Sequence, residues 1–254
     1  MKNIFLIFFI ICIVNKGFTR DFGETFITAD DGIEVYQDEK FYLLKKNVNI
    51  ESDTFTLKGD LVKIYFEKDL YDIIQIDASG NVVFQSTIYS LNGKSNTLIF
   101  KVLSEEIFLK GSNSNLIIRD IIMNSDNEII VNNINGNFFI NGENSSLKTI
   151  DLLILGQEIE GSFTNQAEIN EISELDVYDD NVAYIKSDET EMYANIVRYN
   201  KITSLIELEN NVKIIRNDEV ISGDYGTLDT KNNSYKIKSK ESNKVKIIIN
   251  TENE

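Results

Sequence analysis

The sequence predicts an all-β fold of stacked antiparallel strands. Three observations predict it. Apolar and polar residues alternate over short runs, Gly, Asn, Asp and Ser recur between those runs, and a strand–turn–strand unit repeats along the chain.

The alternation has period two. In Leu61-Val62-Lys63-Ile64-Tyr65-Phe66-Glu67, one face carries Val62, Ile64 and Phe66 and the other Leu61, Lys63, Tyr65 and Glu67. In the run from Lys244 to Ile249 the stacked face is Val245, Ile247 and Ile249. Successive side chains of a strand point to opposite faces, so such runs expect one buried and one wet face. The pairs Asn92-Gly93, Asn135-Gly136 and Asn141-Gly142 are expected to supply the positive φ of tight hairpin turns. The stretch Asn165 to Leu175 is the best candidate for a short helix or a linker.

The repeat emerges when the chain is aligned on Asn47, Asn81 and Asn211. Each is followed by Val48, Val82 or Val212 and, three positions on, by Ile50, Phe84 or Ile214. Ten positions on stand Leu57, Leu91 and Ile221, and twelve on stand Gly59, Gly93 and Gly223. Ile64, Leu98 and Leu228 follow at seventeen, and Tyr42, Ile76 and Ile206 precede by five. A weaker copy begins at Asn181-Val182 with Tyr184, and fits with one extra residue through Met192, Ala194 and Tyr199. Spacings of 34 residues (Asn47 to Asn81) and 30 (Asn181 to Asn211) suit units that bury their apolar faces only by stacking on neighbours. Residues 113–165 are β-like but fit the repeat poorly.

Composition narrows the chemistry. The 254 residues include no Pro, His or Trp, and 42% are apolar, enough for a real core. Without His there is no imidazole base, no Ser-His-Asp device and no imidazole metal ligand. The formal net charge of -16 disfavours nucleic acid and simple docking on an anionic membrane. The plain reading of that charge is solubility by self-repulsion.

At the N-terminus Lys2 precedes an apolar run from Ile4 to Val14, then Asn15, Lys16 and Gly17. This is the pattern of a secretory signal, with cleavage expected after Thr19, and the run is short for a spanning helix. Removing Lys2 and Lys16 would take the charge from -16 to -18. Cys12, the one cysteine, leaves with the leader. An uncleaved membrane anchor is the alternative.

The order and spacing of several motifs resemble the OstA-like family, the LptA-type periplasmic bridge proteins of lipopolysaccharide transport. These motifs are Ile27-Thr28-Ala29-Asp30, Gly59-Asp60 and Gly80-Asn81-Val82. The run from Tyr193 to Tyr199, then Ile206-Glu207-Leu208-Glu209-Asn210-Asn211-Val212 and Ile221-Ser222-Gly223-Asp224, is more similar still. The resemblance covers roughly residues 26–112 and 175–240. It implies a twisted β-jellyroll, an open trough of stacked antiparallel strands. On that basis the chain is expected to divide into a leader (1–19), a first jellyroll segment (20–112), a β-rich connection of the same roll (113–170), a second segment (171–250) and a frayed tail (251–254). Two linked modules or one extended trough are both compatible with this.

The resemblance also implies a function: a periplasmic protein that passes lipopolysaccharide along its trough, with lipid A acyl chains inside and sugars outside. The expected partners are homologous β-jellyroll domains of inner- and outer-membrane transport subunits, and head-to-tail copies of the chain itself. Candidate inward residues for acyl chains are Ile27, Ile50, Leu57, Ile64, Phe84, Leu91, Leu98, Leu109, Tyr184, Leu208 and Ile214. Each of them could equally be ordinary core. The first strand (Thr25, Ile27) and the last (Val245, Ile247, Ile249) are candidate partner edges. No cofactor, metal or nucleic acid is expected. A membrane-anchored relay of the same pathway and a ligand-free structural β-solenoid are the competing readings.

Catalysis has little to stand on. The acid pairs Asp30-Asp31, Glu105-Glu106, Asp179-Asp180 and Asp188-Glu189 are sequence neighbours, so within strands they would face opposite ways. The stretch Asn124 to Glu128 could hold Ca²⁺ weakly but reads better as a polar turn. Gly93-Lys94-Ser95 lacks the first glycine of a phosphate loop, since position 88 is Ile88.

Overall fold

The computed structural model describes residues 23–249, apart from 69–71, 165–170, 188–189, 218, 233 and 241–243. The expected leader and tail therefore lie outside the described residues, as do Asp188, Glu189 and the first part of the 165–175 stretch. The remainder of that stretch is strand and not helix: Ile172 and Leu175 point into the core from the start of a long strand that begins at Glu171.

Among the described residues eighteen strands form one continuous antiparallel sheet. In chain order they open with β1 (Phe26–Thr28), β2 (Ile33–Tyr36), β3 (Phe41–Glu51), β4 (Phe55–Phe66), β5 (Ile73–Ser86) and β6 (Leu91–Lys101). Short strands follow: β7 (Glu106–Lys110), β8 (Ser114–Ile118), β9 (Ile121–Ser125) and β10 (Glu128–Asn132). Long ones resume with β11 (Asn137–Lys148), β12 (Leu152–Thr164), β13 (Glu171–Ser187), β14 (Thr190–Asn200), β15 (Leu205–Arg216) and β16 (Glu219–Asp229). The last two are β17 (Ser234–Lys238) and β18 (Lys246–Ile249).

Each long strand pairs with the next and changes register near its middle. The shifts fall at Lys45/Val48, Lys58/Leu61, Ser79/Val82, Asn141/Ser145, Leu155/Glu158, Tyr178/Ala183, Tyr193/Ile196 and Glu209/Val212. These bulges line up as one row of corners and fold the sheet into two layers. In the middle of the chain the corner breaks the strand outright. β6 pairs with β7 through 97–101 and with β8 through 91–94, and β11 pairs with β10 and β9 in the same divided way. β7 to β10 are thus half-strands, which is why residues 113–165 fit the repeat poorly.

The repeat marks the corners. Asn47, Asn81 and Asn211 hold φ of 48°, 49° and 54°, a left-handed conformation that Asn tolerates better than other side chains. Their amides also tie the row together. Asn47 Nδ2 donates to Asp30 at 2.5 Å, Asn81 Nδ2 to Asp60 at 3.1 Å, and Asn211 Nδ2 to Asn195 at 2.7 Å. Asn195 Nδ2 in turn donates to the Asp179 and Asn181 carbonyls.

Alternate residues of both layers point into one core. Leu44, Val62, Leu109, Ile129, Ile159 and Val197 come from one layer, and Val48, Leu57, Leu116, Met123, Ile154 and Ile185 from the other. Val62, Ile64 and Phe66 form the buried face of β4, as the alternation predicts.

Three readings are corrected. Asn92-Gly93 is not a turn but lies inside β6; a Cβ at Gly93 would sit 2.6 Å from the Phe84 ring and 2.7 Å from the Asn115 carbonyl, so the glycine is a contact point between strands. Asn141-Gly142 lies at a corner, and only Asn135-Gly136 joins a hairpin, between β10 and β11. The face Val245, Ile247 and Ile249 is not buried: Ile247 is 55% exposed.

The corner conformation is testable. Asn81→Val, which adds a β-branched side chain at φ 49°, should cost about 1–2 kcal/mol in urea unfolding. Asn81→Gly should change stability by only about 0.5 kcal/mol.

Candidate functional site: an apolar cleft between the layers

Away from the corners, the two layers end at a row of hairpin turns. In the N-terminal half this far rim is shut. Phe55, Phe84, Tyr89, Leu98, Phe100 and Ile107 converge and leave a void of only about 10 Å³, at the lower limit for one water. Tyr89 meets Phe100 edge-on with centroids 5.6 Å apart. Burial pushes the Tyr89 phenol up, and the charge of Glu105 adds to it.

In the C-terminal half the layers part. A cleft of about 540 Å³ opens between them, within the roughly 300–1,000 Å³ usual for ligand sites. One wall carries Leu152 of β12 and Ile185 of β13. The opposite wall carries Ile172, Leu175, Val197, Tyr199 and Ile206. Aliphatic side chains stand here where aromatic rings close the other half. Burial pushes the Tyr199 phenol up.

The mouth is charged. Asp120, Asp151, Glu171 and Lys201 line it, and Lys201 is ion-paired to Glu171. Asp120 sits in the turn between β8 and β9, where Arg119 holds φ 52° and its amide donates to the Ser90 carbonyl at 3.0 Å. One Asp120 oxygen, Oδ1, is shielded from solvent and has no hydrogen-bond partner. Leaving a buried acceptor unsatisfied costs about 1–3 kcal/mol, so this oxygen is an exception among buried polar groups.

A larger hollow, about 620 Å³, lies along the corners and is lined mainly by Asn47, Asn49, Lys58, Asp60 and Asn81. Its lining is polar and offers little surface for hydrocarbon, so the smaller cleft is the better ligand site.

Of the eleven inward candidates, Ile50, Leu57, Ile64, Phe84, Leu91, Leu98, Leu109, Leu208 and Ile214 are buried in the core, and Ile27 packs against it. Tyr184 is misplaced. It lies on the outer face against Tyr193, centroids 5.0 Å apart, while its neighbours Ala183 and Ile185 point inward. The corner from Asp179 to Val182 leaves Val182 exposed where Val48, Val82 and Val212 are buried, and a one-residue slip reverses every face. None of the eleven lines the cleft. Ile172 and Leu175 were hidden in the stretch read as helix or linker. Ile206 and Tyr199 belong to the repeat, Ile206 five residues before a corner Asn, the spacing that carries a strand to the far rim.

Two of the acid pairs have structural partners among the described residues. Asp179 Oδ1 accepts from the Asn181 and Val182 amides, and Glu106 is held below the usual carboxylate range chiefly by the Lys101 ammonium. Ser125 Oγ accepts from the Asn127 and Glu128 amides, so the stretch 124–128 is a corner. Among the described residues no group of three or more acids could hold a metal ion, and no helix is long and apolar enough to cross a membrane.

The chain is thus a two-layered antiparallel β-roll, a twisted jellyroll, with an apolar slot along part of one rim. No family model matches its sequence, and no curated protein matches it. Among solved structures it is similar to LptH of Pseudomonas aeruginosa, the LptA-homologous periplasmic component of the lipopolysaccharide transport device. The TM-score is 0.42 and the identity 12%, over 52% of this chain and 95% of that one.

The aromatic closure makes a prediction. Phe100→Ala should destabilise the protein by about 3–5 kcal/mol in denaturant unfolding. Ile206→Ala, at the lip of the cleft, should cost less than the roughly 2–5 kcal/mol of a fully packed site, because part of its surroundings is already empty.

Proposed function

We propose that this protein is an exported, periplasmic carrier that binds lipopolysaccharide and passes it from the inner toward the outer membrane. Its acyl chains occupy the cleft and its sugars stay outside. The observation that carries this reading is the parting of the two layers between β12 and β15 into an apolar cleft. Each buried methylene contributes about 0.8 kcal/mol, so one acyl chain binds firmly without any charged contact. That suits a chain with a net charge of -16.

The two ends of the roll support assembly with further rolls. Among the described residues β1 and β2 pair only with β3, and β17 and β18 only with β16. Ile33 and Val35 are exposed at one end and Ile247 and Ile249 at the other. Charge is divided between them. Asp30, Asp31, Glu34, Asp38 and Glu39 lie at the first end with Lys40, Lys45 and Lys46, and Lys236, Lys238, Lys240, Lys244 and Lys246 lie at the last. Lys45 neutralises part of the first set by holding Glu34 in a 2.5 Å ion pair. Opposite charges steer partners and set their register, which favours head-to-tail contact between copies or with homologous domains of the membrane subunits.

Two experiments test this reading. A photo-crosslinker at Leu175 or Ile206 should trap labelled lipopolysaccharide in the exported protein, and one at Leu116, deep in the closed core, should not. Equal capture at all three positions, or none at the cleft, would overturn the carrier role. Light scattering should show a larger mass at low salt than at high salt. The double variant Lys238→Glu, Lys246→Glu should stay monomeric at both; unchanged assembly would remove charge from the account.

A further inference from the structure

We propose that the far rim of the roll is a membrane-docking edge, whose aliphatic turn tips enter the surface of a zwitterionic lipid bilayer and hold the mouth of the cleft against it. The choice of a lipid surface as occupant rests on the carrier reading; the exposure of the tips does not.

Exposure argues first. Among the described residues the five most exposed large apolar side chains are Ile202, Leu103, Ile150, Ile88 and Ile134, from 91% down to 59%. Single exposed apolar residues scattered over a surface are ordinary. These share one place in the fold. All five stand on the far rim, in the turns 87–90, 102–105, 133–136, 149–151 and 201–204. Each is the second residue of its turn, a position where small polar residues are the rule. Backbone bonds hold the tips out. The amide just before the tip donates to a carbonyl of the neighbouring hairpin in four turns: Thr87 to Thr54 at 2.9 Å, Val102 to Ile74 at 3.0 Å, Asn133 to Glu105 at 3.0 Å and Lys201 to Ser173 at 2.9 Å. In the fifth, the Thr149 amide closes on the Leu152 carbonyl at 2.9 Å.

Charge and spacing decide the occupant. Across those five turns only Glu105, Asp151 and Lys201 carry charge, and Lys201 is ion-paired to Glu171. The short turn Arg119-Asp120 among them carries one charge of each sign. Turns nearer the ends are charged at the tip, with Asp38, Glu39 and Lys40 before β3 and Lys231 after β16. The apolar tips thus offer no cation cluster to an anionic surface, and the net charge of -16 opposes one. They gain by leaving water, which a zwitterionic bilayer permits. Successive turns of one layer are two strands apart, about 9–10 Å, so the tips form a comb of single wedges and not a continuous face. Fluid lipid closes around such wedges, whereas a close-packed protein surface would leave the gaps between them unfilled. The cleft opens among the same tips. Ile150 lines its mouth, and Ile202 follows Lys201, which also lines it. An acyl chain leaving the bilayer there reaches the cleft without crossing water.

The chain has no Trp, so a single introduced one reports its own surroundings. Ile202→Trp in the exported protein, mixed with phosphatidylcholine vesicles, should shift its emission to shorter wavelength and be quenched by brominated acyl chains. Val83→Trp, on the outer face of β5, should do neither. The double variant Ile134→Ser, Ile202→Ser should bind the vesicles at least about tenfold more weakly than the native protein, at low and high salt alike and with an unchanged thermal midpoint. If that variant unfolds, the two tryptophan variants decide alone. Native protein that ignores the vesicles, or a Trp at 202 that stays in water, overturns the docking edge and leaves the carrier reading to its crosslinks. An equal shift at Val83→Trp overturns the assignment to the rim. Loss of self-association in the double variant, with vesicle binding unchanged, makes the rim a contact between copies and overturns the lipid surface. Docking through Ile202 with no lipopolysaccharide trapped at Leu175 or Ile206 supports the docking edge and overturns the carrier reading alone.

Discussion

The whole architecture depends on a backbone constraint, the left-handed turn at the middle of β3, β5 and β15. A β-strand left alone would run straight across the sheet. Here a bulge at Lys46-Asn47, Gly80-Asn81 or Asn210-Asn211 bends it, and the next strand bends beside it. A left-handed residue with a side chain costs about 1–2 kcal/mol in general, but Asn and Gly adopt it at much lower cost. Side-chain amides then bond from one corner to the next, so the corners form a polar spine. Two layers facing each other are the consequence, and the core is whatever alternate side chains those layers enclose.

Because the strands are held by their own ladders, filling of the core varies along the roll without breaking it. In the first half, rings at Phe55, Phe84, Tyr89 and Phe100 reach across the rim and close it. In the second half the same rim carries Ile172, Leu175, Val197 and Ile206, aliphatic side chains that line the cleft. The expected trough is therefore partial. Aromatic packing closes it around Tyr89 and Phe100, and a cleft opens it around Ile172 and Ile206. A packed rim gains dispersion contacts that an open one forgoes, and a hydrocarbon guest restores them.

Much of the fold was legible in the sequence, because period-two alternation and corner chemistry are local. Val62, Ile64 and Phe66 could be assigned to the inner face from spacing alone, and the Asn47, Asn81 and Asn211 register located three corners without showing that they were corners. The failures were local too. One additional residue between Asp179 and Val182 turned Tyr184 outward, and Asn92-Gly93 carries a turn signature while serving as a flat contact under Phe84. The cleft was not legible, because it is a distance between two layers and no residue spacing encodes it. Ile206 and Tyr199 bore the one available signal, a position at the strand end farthest from the corner.

In the proposed carrier role, lipid holding and end-to-end assembly would have separate physical origins. The cleft would work by removing hydrocarbon from water, which salt leaves nearly untouched, and its walls belong to β12–β15 inside the roll. The ends would work through unpaired backbone and charge, which salt screens. Neither set of residues overlaps the other, and neither includes the corner asparagines that shape both. On that proposal a roll built this way would lengthen by adding copies without altering how any one of them grips an acyl chain, because the edge strands lie outside the walls of the cleft.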